Sequence, residues 1–318
     1  MSTQLQRPGD IFSAEEIRRL KQVSPWRSTW MIGHCWGVIV ATWVVVTLWP
    51  NPLTVLAGIV IVGARQLGLG ILFHDGAHFS LYRSRRVNDW VCEWLLSRPM
   101  LGAGVEGYRR YHLKHHRYTQ QADDPDLALS RPFPVSRASL RRKLWRDLSG
   151  QTGIKQYGAE LRAAFAADAE HPDAVSRVRK GLRRIGPNLL INLALFSAFA
   201  AAGVWYLYFL LWWVPALTWH KLVSRIRNIG EHAAVPDDDD RLRNTRTTLA
   251  NLLERAVLAP YFVNYHLEHH LFVSCPCFRL PRAHRLMLAK GYGPYMEIQP
   301  GYRAMLRQAT RTGGAAAA

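Results

Sequence analysis

The fold is predicted mainly by a long, nearly uncharged stretch at residues 29–73, TWMIGHCWGVIVATWVVVTLWPNPLTVLAGIVIVGARQLGLGILF. Arg65 is the one Lys, Arg, Asp or Glu in this stretch, and the turn residues 50–52 divide it into two apolar halves. Each half, 29–49 and 53–73, has the roughly 20 residues that an α-helix needs to cross a bilayer. The stretch therefore predicts a pair of transmembrane helices.

A second apolar region covers residues 186–219 and has no ionised side chain. It is too long for one untilted span, and the small residues at 201–203 offer a place to turn. We therefore expect two further helices, at about 181–202 and 204–225. One long, tilted helix is the alternative.

The charge of the chain is strongly basic, with 41 Lys+Arg against 23 Asp+Glu and a net charge of +18. A balance of this kind first suggests a nucleic-acid partner. However, the basic surplus lies in the polar regions, whereas the two expected outer turns carry no charge. By the positive-inside rule both termini then face the cytoplasm. The charge thus predicts membrane orientation and attraction to anionic lipid, with no nucleic-acid binding.

The predicted fold is an all-α integral membrane protein with four transmembrane helices and a cytoplasmic helical cap. Residues 1–28 form a cytoplasmic N-terminal segment, and residues 29–318 form a single domain. The cap comprises residues 74–180 and 226–308, and residues 309–318 are expected to be a frayed tail. The acidic run at 237–240 is expected to be a solvated loop.

Histidines concentrate in four short motifs, and each lies at or beyond the cytoplasmic end of a predicted span. Residues three and four apart share one face of a helix, so the histidines within a motif point in the same direction. The motifs are HDGAH at 74–78, HLKHH at 112–116, NIGEH at 228–232 and HLEHH at 266–270.

The motifs together supply nine imidazoles, and such a number converging on one place points to a metal. Neutral imidazole is the commonest protein ligand for metals. One zinc ion takes only three or four ligands, so nine exceed a mononuclear site, whereas two irons would use them all. Imidazole suits iron, zinc and copper alike, so the histidines alone do not select the metal.

The motifs in the order HxxxH, HxxHH, NxxEH and HxxHH resemble the histidine boxes of the membrane fatty acid desaturase family. The resemblance covers about residues 74–288, and the flanks of the second and fourth boxes strengthen it. It implies a histidine-rich di-iron site in the cap, in which Asn228 can hold a water on one iron. The implied catalytic iron ligands are His74, His78, His112, His115, His116, His232, His266, His269 and His270.

Acidic residues lie between these histidines in the sequence. We expect Asp75, Glu231 and Glu268 to accept hydrogen bonds from imidazole N–H groups, with a solvated helix face as the alternative. For the acidic run at 123–126 a plain turn is favoured, and support of the second box is the alternative.

The resemblance also implies a chemistry. Such a centre uses O₂ and two electrons to remove hydrogen from an unactivated C–H bond, and the motifs best suit desaturation of an acyl chain on a lipid or thioester. Hydroxylation of a lipid, carotenoid or similar apolar substrate is the alternative. The substrate would come from the membrane, and the electrons from a separate donor of ferredoxin or cytochrome type.

The excess of Arg over Lys favours a bacterial source, and hence a bacterial inner membrane with the active site on the cytoplasmic side. The endoplasmic reticulum is the alternative location. Two other function classes are disfavoured. A zinc protease interpretation of HDGAH lacks the general-base glutamate and leaves seven clustered histidines unexplained. A non-enzymatic metal carrier is equally disfavoured.

The remaining histidines lie outside the boxes and are expected to be structural: His34, His171, His220 and His284. Arg65 is costly inside a span. We expect it to make a structural contact with backbone carbonyls, water or a lipid headgroup, and substrate binding is the second interpretation.

Overall fold

The computed structural model describes residues 7–236 and 238–311, and its regular structure is mostly helical. The α-helices are α1 Pro8–Ile11, α2 Ala14–Leu20, α3 Pro25–Leu48, α4 Pro52–Ala77, α5 Arg85–Val91, α6 Val105–Tyr118, α7 Leu127–Ser130, α8 Arg137–Leu148, α9 Gln151–Ala164, α10 Ala174–Ala201, α11 Trp205–Tyr208, α12 Val214–Leu217, α13 Trp219–His232, α14 Leu252–Val257, α15 His266–Leu271, α16 Leu280–Ala289 and α17 Tyr302–Gln308. Two π-helical segments, Cys92–Ser97 and Phe209–Trp213, and four 3₁₀ turns, Arg98–Met100, Pro260–Phe262, Cys277–Arg279 and Gly293–Tyr295, complete the helical structure.

Helices α3 and α4 form the predicted apolar hairpin. The Asn51 side chain caps α4 by accepting hydrogen bonds from the backbone N–H groups of Leu53 and Thr54, at 3.0 and 3.1 Å. Pro52 follows as the first helical residue, where its missing N–H costs nothing. The turn between the two helices therefore lies where the sequence predicts it.

Helix α4 is the central element of the fold. Its apolar window is 61% buried inside the protein, against 33% for the stretch that contains α3 and 17% for α10. Gly63 allows α13 to approach closely, since an added Cβ would lie 2.9 Å from the Cβ of Trp219. The C-terminal end of α4 consequently carries its histidines into the protein interior.

Three stretches among the described residues are long and apolar enough to cross a membrane: Ala14–Leu48, which contains α2 and α3, then Pro52–Ala77 and Ala174–Ala201. Exposed tryptophans lie near both ends of the α3–α4 hairpin. Trp26 and Trp30 are 76% and 64% exposed, and Trp49 at the other end is 62% exposed. Tryptophan is enriched at both membrane–water interfaces, so these positions fit a membrane hairpin.

The second apolar region departs in part from expectation. Helix α10 ends at Ala201 and Gly203 adopts a left-handed φ of +76°, so the chain turns where predicted and one long helix does not form. The expected continuous helix at 204–225 is corrected, because the chain breaks at Thr218 (φ −117°, ψ −87°). Pro215, which lacks an N–H, lies one turn earlier. The piece before the break rises only about 20 Å, short of a roughly 30 Å hydrocarbon core.

Two short parallel strand pairs join distant parts of the chain. Strand β1 Val135–Ser136 pairs with β4 Thr310–Arg311, and β2 Thr247–Thr248 pairs with β3 Ile298–Gln299. Residues 310 and 311 therefore belong to a strand pair, which corrects the expected start of a frayed tail at 309. The rest of that tail, 312–318, and Asp237 of the acidic run lie outside the described residues.

Candidate metal centre

The four histidine motifs come together from four helices. The first ends α4, the second lies in α6, the third ends α13, and the fourth forms most of α15. The ring centres of His74 and His112 are 4.3 Å apart, those of His116 and His270 are 4.1 Å apart, and those of His115 and His232 are 4.7 Å apart. Nine side chains from distant parts of the chain thus share one buried cluster.

The ligand atoms of the cluster fall into two adjacent groups. Within each set, one ligand atom from every residue lies within 4.8 Å of the others. His266 joins the second group through its neighbours His232 and Glu231. The first group is His74, His78, His112, His116 and His269, and the second is His115, His232 and His270.

Many of these imidazole nitrogens have no hydrogen-bond partner within the described residues. The unpaired buried atoms are Nε2 of His74, His78 and His270, and Nδ1 of His116, His232 and His266. Buried polar atoms are nearly always paired, and leaving one unpaired costs about 1–3 kcal/mol. The three Nε2 atoms can each offer a lone pair to a metal ion, whereas the three Nδ1 atoms belong to rings whose Nε2 atoms face other imidazoles.

Other nitrogens in the cluster face one another directly. Nε2 of His116 lies 2.9 Å from Nε2 of His112 and 3.1 Å from Nε2 of His269. Nε2 of His232 lies 2.8 Å from Nε2 of His266. Two ligands of one ion, with metal–nitrogen bonds of about 2.1 Å, lie a similar distance apart. These contacts and the unpaired nitrogens fit metal ions held by imidazole.

The environment favours the neutral form of seven of these imidazoles, and neutral imidazole is the form that binds metal. Burial lowers the pKa of His78 to about 3, with a smaller effect from the Arg109 guanidinium. For six other histidines of the cluster, burial and then repulsion from neighbouring charged groups hold the pKa well below the usual range. This applies to His112, His116, His232, His266, His269 and His270.

The segment after α6 fixes several of these rings from behind. Asp124 lies 2.8 Å from Nδ1 of His115, and Thr119 Oγ1 lies 3.1 Å from Nδ1 of His270. The Gln120 side-chain amide donates to the backbone carbonyl of His232 at 2.6 Å. The sequence favours a plain turn in this segment, but the segment contacts three of the four motifs.

The three expected carboxylates differ from one another in the contacts that they make. Asp75 accepts a hydrogen bond from the backbone N–H of Cys277 at 3.1 Å and contacts no imidazole in the described hydrogen bonds. Glu231 forms an ion pair with Arg227, and its Oε2 lies 3.5 Å from Nε2 of His266. All three carboxylates are buried, so the alternative of a solvated helix face is also corrected.

Glu268 is held on the side of α15 that faces α16. Its Oε1 lies 2.6 Å from Nδ1 of His284, and its Oε2 accepts a hydrogen bond from Thr247 Oγ1 at 2.5 Å. Because Glu268 lies directly before His269 in a helix of six residues, this chain of contacts fixes the rotation of the fourth motif. Sequence spacing had identified neither Thr247 nor His284 as a partner.

A buried arginine, which belongs to none of the sequence motifs, holds the end of α13. Arg246 donates to the backbone carbonyls of Ala233 and Ala234, each at 3.0 Å, and pairs with Glu297. Donors at a helix C-terminus satisfy its free carbonyls, so Arg246 secures the turn that carries His232. Asn228 lies one helical turn before His232 and is half-buried.

The other histidines lie apart from the two ligand groups. His34 contacts the Tyr261 hydroxyl at 3.2 Å, and His171 pairs with Asp168 in an exposed loop. His220 is half-buried in α13. These positions are compatible with the structural roles expected for them.

A polar pocket reaches the cluster from the surface. It has a volume of about 340 Å³, and His232 forms part of its wall. Gln120, Ser130, Arg131 and Asp238 supply its polar lining. The pocket gives water a route to one edge of an otherwise buried centre.

Comparison with known proteins supports the family that the order of the motifs indicates. The sequence profile of the family described as fatty acid desaturase matches residues 50–301. The chain is 26% identical over 253 residues to the dihydrorhizobitoxine desaturase of Bradyrhizobium elkanii, covering 76% of this chain and 69% of that protein. It is also 26% identical over 265 residues to the beta-carotene ketolase of Paracoccus sp. (strain PC1), covering 79% of this chain and 88% of that protein. The chain therefore belongs to the fatty acid desaturase family.

Proposed function

We propose that this protein is an O₂-dependent, di-iron membrane desaturase that introduces a double bond into the acyl chain of a lipid or thioester. The observation that carries the proposal is the cluster of nine imidazoles in two adjacent groups. Membership of the desaturase family supplies the reaction class. Other metals would accept the same ligands, so the choice of iron rests on the family.

The two groups of imidazoles would each hold one iron. His74, His78, His112, His116 and His269 would form one ligand set, and His115, His232, His266 and His270 the other. Asn228 would hold a water on one iron. Bound iron would supply the O₂ activation needed to remove hydrogen from an unactivated C–H bond. Around it, the chain keeps the imidazoles neutral, orients His115 through Asp124, and excludes bulk water by burial.

The overall reaction consumes O₂, two electrons and two protons, converts –CH₂–CH₂– into –CH=CH–, and forms two waters. Protons must reach a buried centre and water must leave it. The polar pocket beside His232 is suited to both, because its lining can hydrogen-bond to water along its length. The hydrocarbon substrate would arrive separately, from the bilayer.

The proposed setting is a bacterial inner membrane, with both termini and the metal centre on the cytoplasmic side. The three apolar helices and the exposed tryptophans support membrane insertion. We propose that the broken segment from α11 to α13 completes a fourth passage together with its neighbours. We also propose that residues 74–180 and 226–308 form the cap. A separate ferredoxin or cytochrome-type protein would deliver the electrons.

Hydroxylation or a related oxygenation of an apolar substrate is the second candidate. The match to the beta-carotene ketolase favours it, because that match covers 88% of the relative at the same identity as the match to the desaturase. Both reactions would use the same histidines. They differ in whether oxygen leaves as water or remains on carbon.

Lipid analysis of a host with and without the chain tests the proposal. We expect a new double bond in an acyl chain, detected by mass spectrometry after derivatisation, and about two irons per purified chain. A new hydroxyl or keto group without a new double bond would support the second candidate. Purified chain with one zinc, or no metal, would contradict both.

Single substitutions provide the matched controls. His115→Ala and His270→Ala should abolish product formation while the protein still inserts into the membrane. His171→Ala changes a histidine of the same chain outside the cluster and should leave product formation intact. Full activity in either of the first two variants would contradict the proposed ligand set.

A further inference from the structure

An apolar groove lies on the side of the α3–α4 hairpin, away from the histidine cluster. It has a volume of about 580 Å³ and is bounded by α3, α4, α14 and the 3₁₀ turn Pro260–Phe262. Most of its lining is apolar, including Val38, Val60 and Ile61. Its charged side chains are Arg65 and Arg255, and no Asp or Glu is among the described residues that line it.

One end of the groove lies near the end of the membrane hairpin that carries Trp30. Trp30 lines it and is 64% exposed, and tryptophan prefers the membrane–water interface. Helix α14 borders it with Leu252 and Leu253, which are 83% and 72% exposed. A short helix that presents leucines outward suits the boundary between headgroups and acyl chains. The groove therefore opens where a lipid places its polar group.

Arg65 is held at the groove with part of its hydrogen-bonding capacity satisfied by protein. It donates one hydrogen bond to the Ala256 carbonyl, and its guanidinium lies 6.0 Å from the centre of the Tyr261 ring. A guanidinium has five N–H donors and accepts nothing. No carboxylate forms an ion pair with Arg65 or Arg255 in the described part of the chain. The groove thus presents uncompensated positive charge in apolar surroundings.

The wall of the groove is a fixed structure. Tyr261 and Phe262 are consecutive non-glycine residues with positive φ angles of 53° and 64°, a conformation that is unfavourable for side chains of their size. The Tyr261 hydroxyl donates to the Met31 carbonyl at 3.0 Å and lies 3.2 Å from Nδ1 of His34. Arg255 lies 4.7 Å above the Phe262 ring. These contacts hold the unusual backbone and orient the arginines.

We propose that this groove binds a membrane amphiphile that carries an anionic phosphate or carboxylate. The anionic group pairs with Arg65 and Arg255, with His34 as a further polar contact, and the hydrocarbon tail lies against Val60 and Ile61. Guanidinium groups match the geometry of both phosphate and carboxylate. None of the nine cluster histidines lines the groove, so the proposed site does not depend on the reaction proposed above.

Native mass spectrometry of the purified protein in detergent tests the site. Phosphatidylglycerol, zwitterionic phosphatidylcholine and oleate are added in turn. Wild type should retain one phosphatidylglycerol or one oleate, and little phosphatidylcholine. Arg255→Gln should weaken retention about tenfold or more, since a hydrogen bond to a charged group is lost. Arg282→Gln, an exposed arginine on α16, is the matched control and should retain as wild type.

A steric variant guards against misfolding of the arginine variant. Ile61 is 40% exposed at the groove, so Ile61→Trp should fill it without removing a buried contact, and should also reduce retention. Equal retention of anionic and zwitterionic lipid by wild type, or unchanged retention in both groove variants, would overturn the proposal. Whether phosphatidylglycerol or oleate competes better identifies the phosphate or the carboxylate as the natural group.

The same measurement on His115→Ala separates this proposal from the desaturase proposal. That variant lacks a proposed iron ligand but keeps the groove, so it should retain the anionic lipid as wild type does. If retention is lost in His115→Ala but kept in Arg255→Gln, the lipid binds elsewhere and the groove is not its site.

Discussion

The histidine cluster and the Arg65 groove both contain polar groups that their protein surroundings leave partly unpaired, but the two regions differ in chemical sign. In the cluster, neutral imidazoles present lone pairs, and nitrogens such as Nε2 of His74 and Nε2 of His270 are unpaired. In the groove, guanidinium groups present only N–H donors. Lone pairs require a cation, and cationic donors require an anion.

The two regions also differ in how the chain assembles them. The cluster takes several ligands from each helix, and α6 alone supplies His112, His115 and His116. The groove combines Arg65 with Arg255, two single residues 190 positions apart in the sequence. A site built from repeated local spacing can be recognised in the sequence, whereas a site built from isolated residues requires the structure.

Removal of the metal should have the largest effect and tests the cluster half of the comparison directly. Chelation of the purified protein should reduce product formation at least a hundredfold, and ferrous iron, but not zinc, should restore it. Iron per chain and product should be measured on the same samples. Lipid retention at the groove should not change. Activity that persists at one tenth of an iron per chain would contradict a di-iron centre.

Loss of the carboxylate behind His115 should have the next largest effect. Asp124→Asn keeps the shape of the side chain but removes the charge that orients Nδ1, and loss of such a partner typically costs about 10–100-fold in metal affinity or activity. Iron titration and product formation would measure it. Asp123→Asn changes the exposed neighbouring acid and should have no comparable effect. Similar losses in both variants would indicate a general effect of charge.

The sequence predicts the membrane hairpin and the histidine motifs because both depend on local patterns. Family membership, inferred from the order of the motifs, is confirmed by the match over residues 50–301. The assignment of each histidine to an iron stays a prediction. Motif spacing favoured a plain turn at 123–126 and an imidazole contact for Asp75, because the observed contact of Asp124 with His115 depends on how the chain turns after α6.

The break at Thr218 also escapes hydropathy. Residues 204–217 before the break are apolar and α13 after it mixes apolar with polar residues, so hydropathy shows where the charges begin and not where the backbone breaks. The π-helical segment Phe209–Trp213 and Pro215 alter the backbone without altering hydropathy. Contacts of single residues with distant parts of the chain, such as Arg246 with the end of α13, are hidden for the same reason.

A smaller effect is expected from His284, which supports the cluster without belonging to it. His284→Gln removes the imidazole that contacts Glu268 and leaves a buried carboxylate with fewer partners. We expect a loss of about 1–3 kcal/mol in unfolding free energy and a several-fold loss of activity. Thermal unfolding in detergent and product formation would measure them. An iron content reduced as strongly as in His115→Ala would show that His284 acts as a ligand.

The smallest effect should come from His171→Ala, which tests whether a histidine matters only when it lies in the cluster. His171 has one carboxylate partner, Asp168, and its side chain is 29% exposed, so water can replace the lost contact. We expect a change within about 0.5 kcal/mol in unfolding free energy, with unchanged iron content and product formation. A loss of iron in this variant would mean that the boundary drawn around the cluster is too narrow. Retention of iron and activity would restrict the metal centre to the four motifs, since His171 shares the chemistry of the ligands and differs from them only in its position.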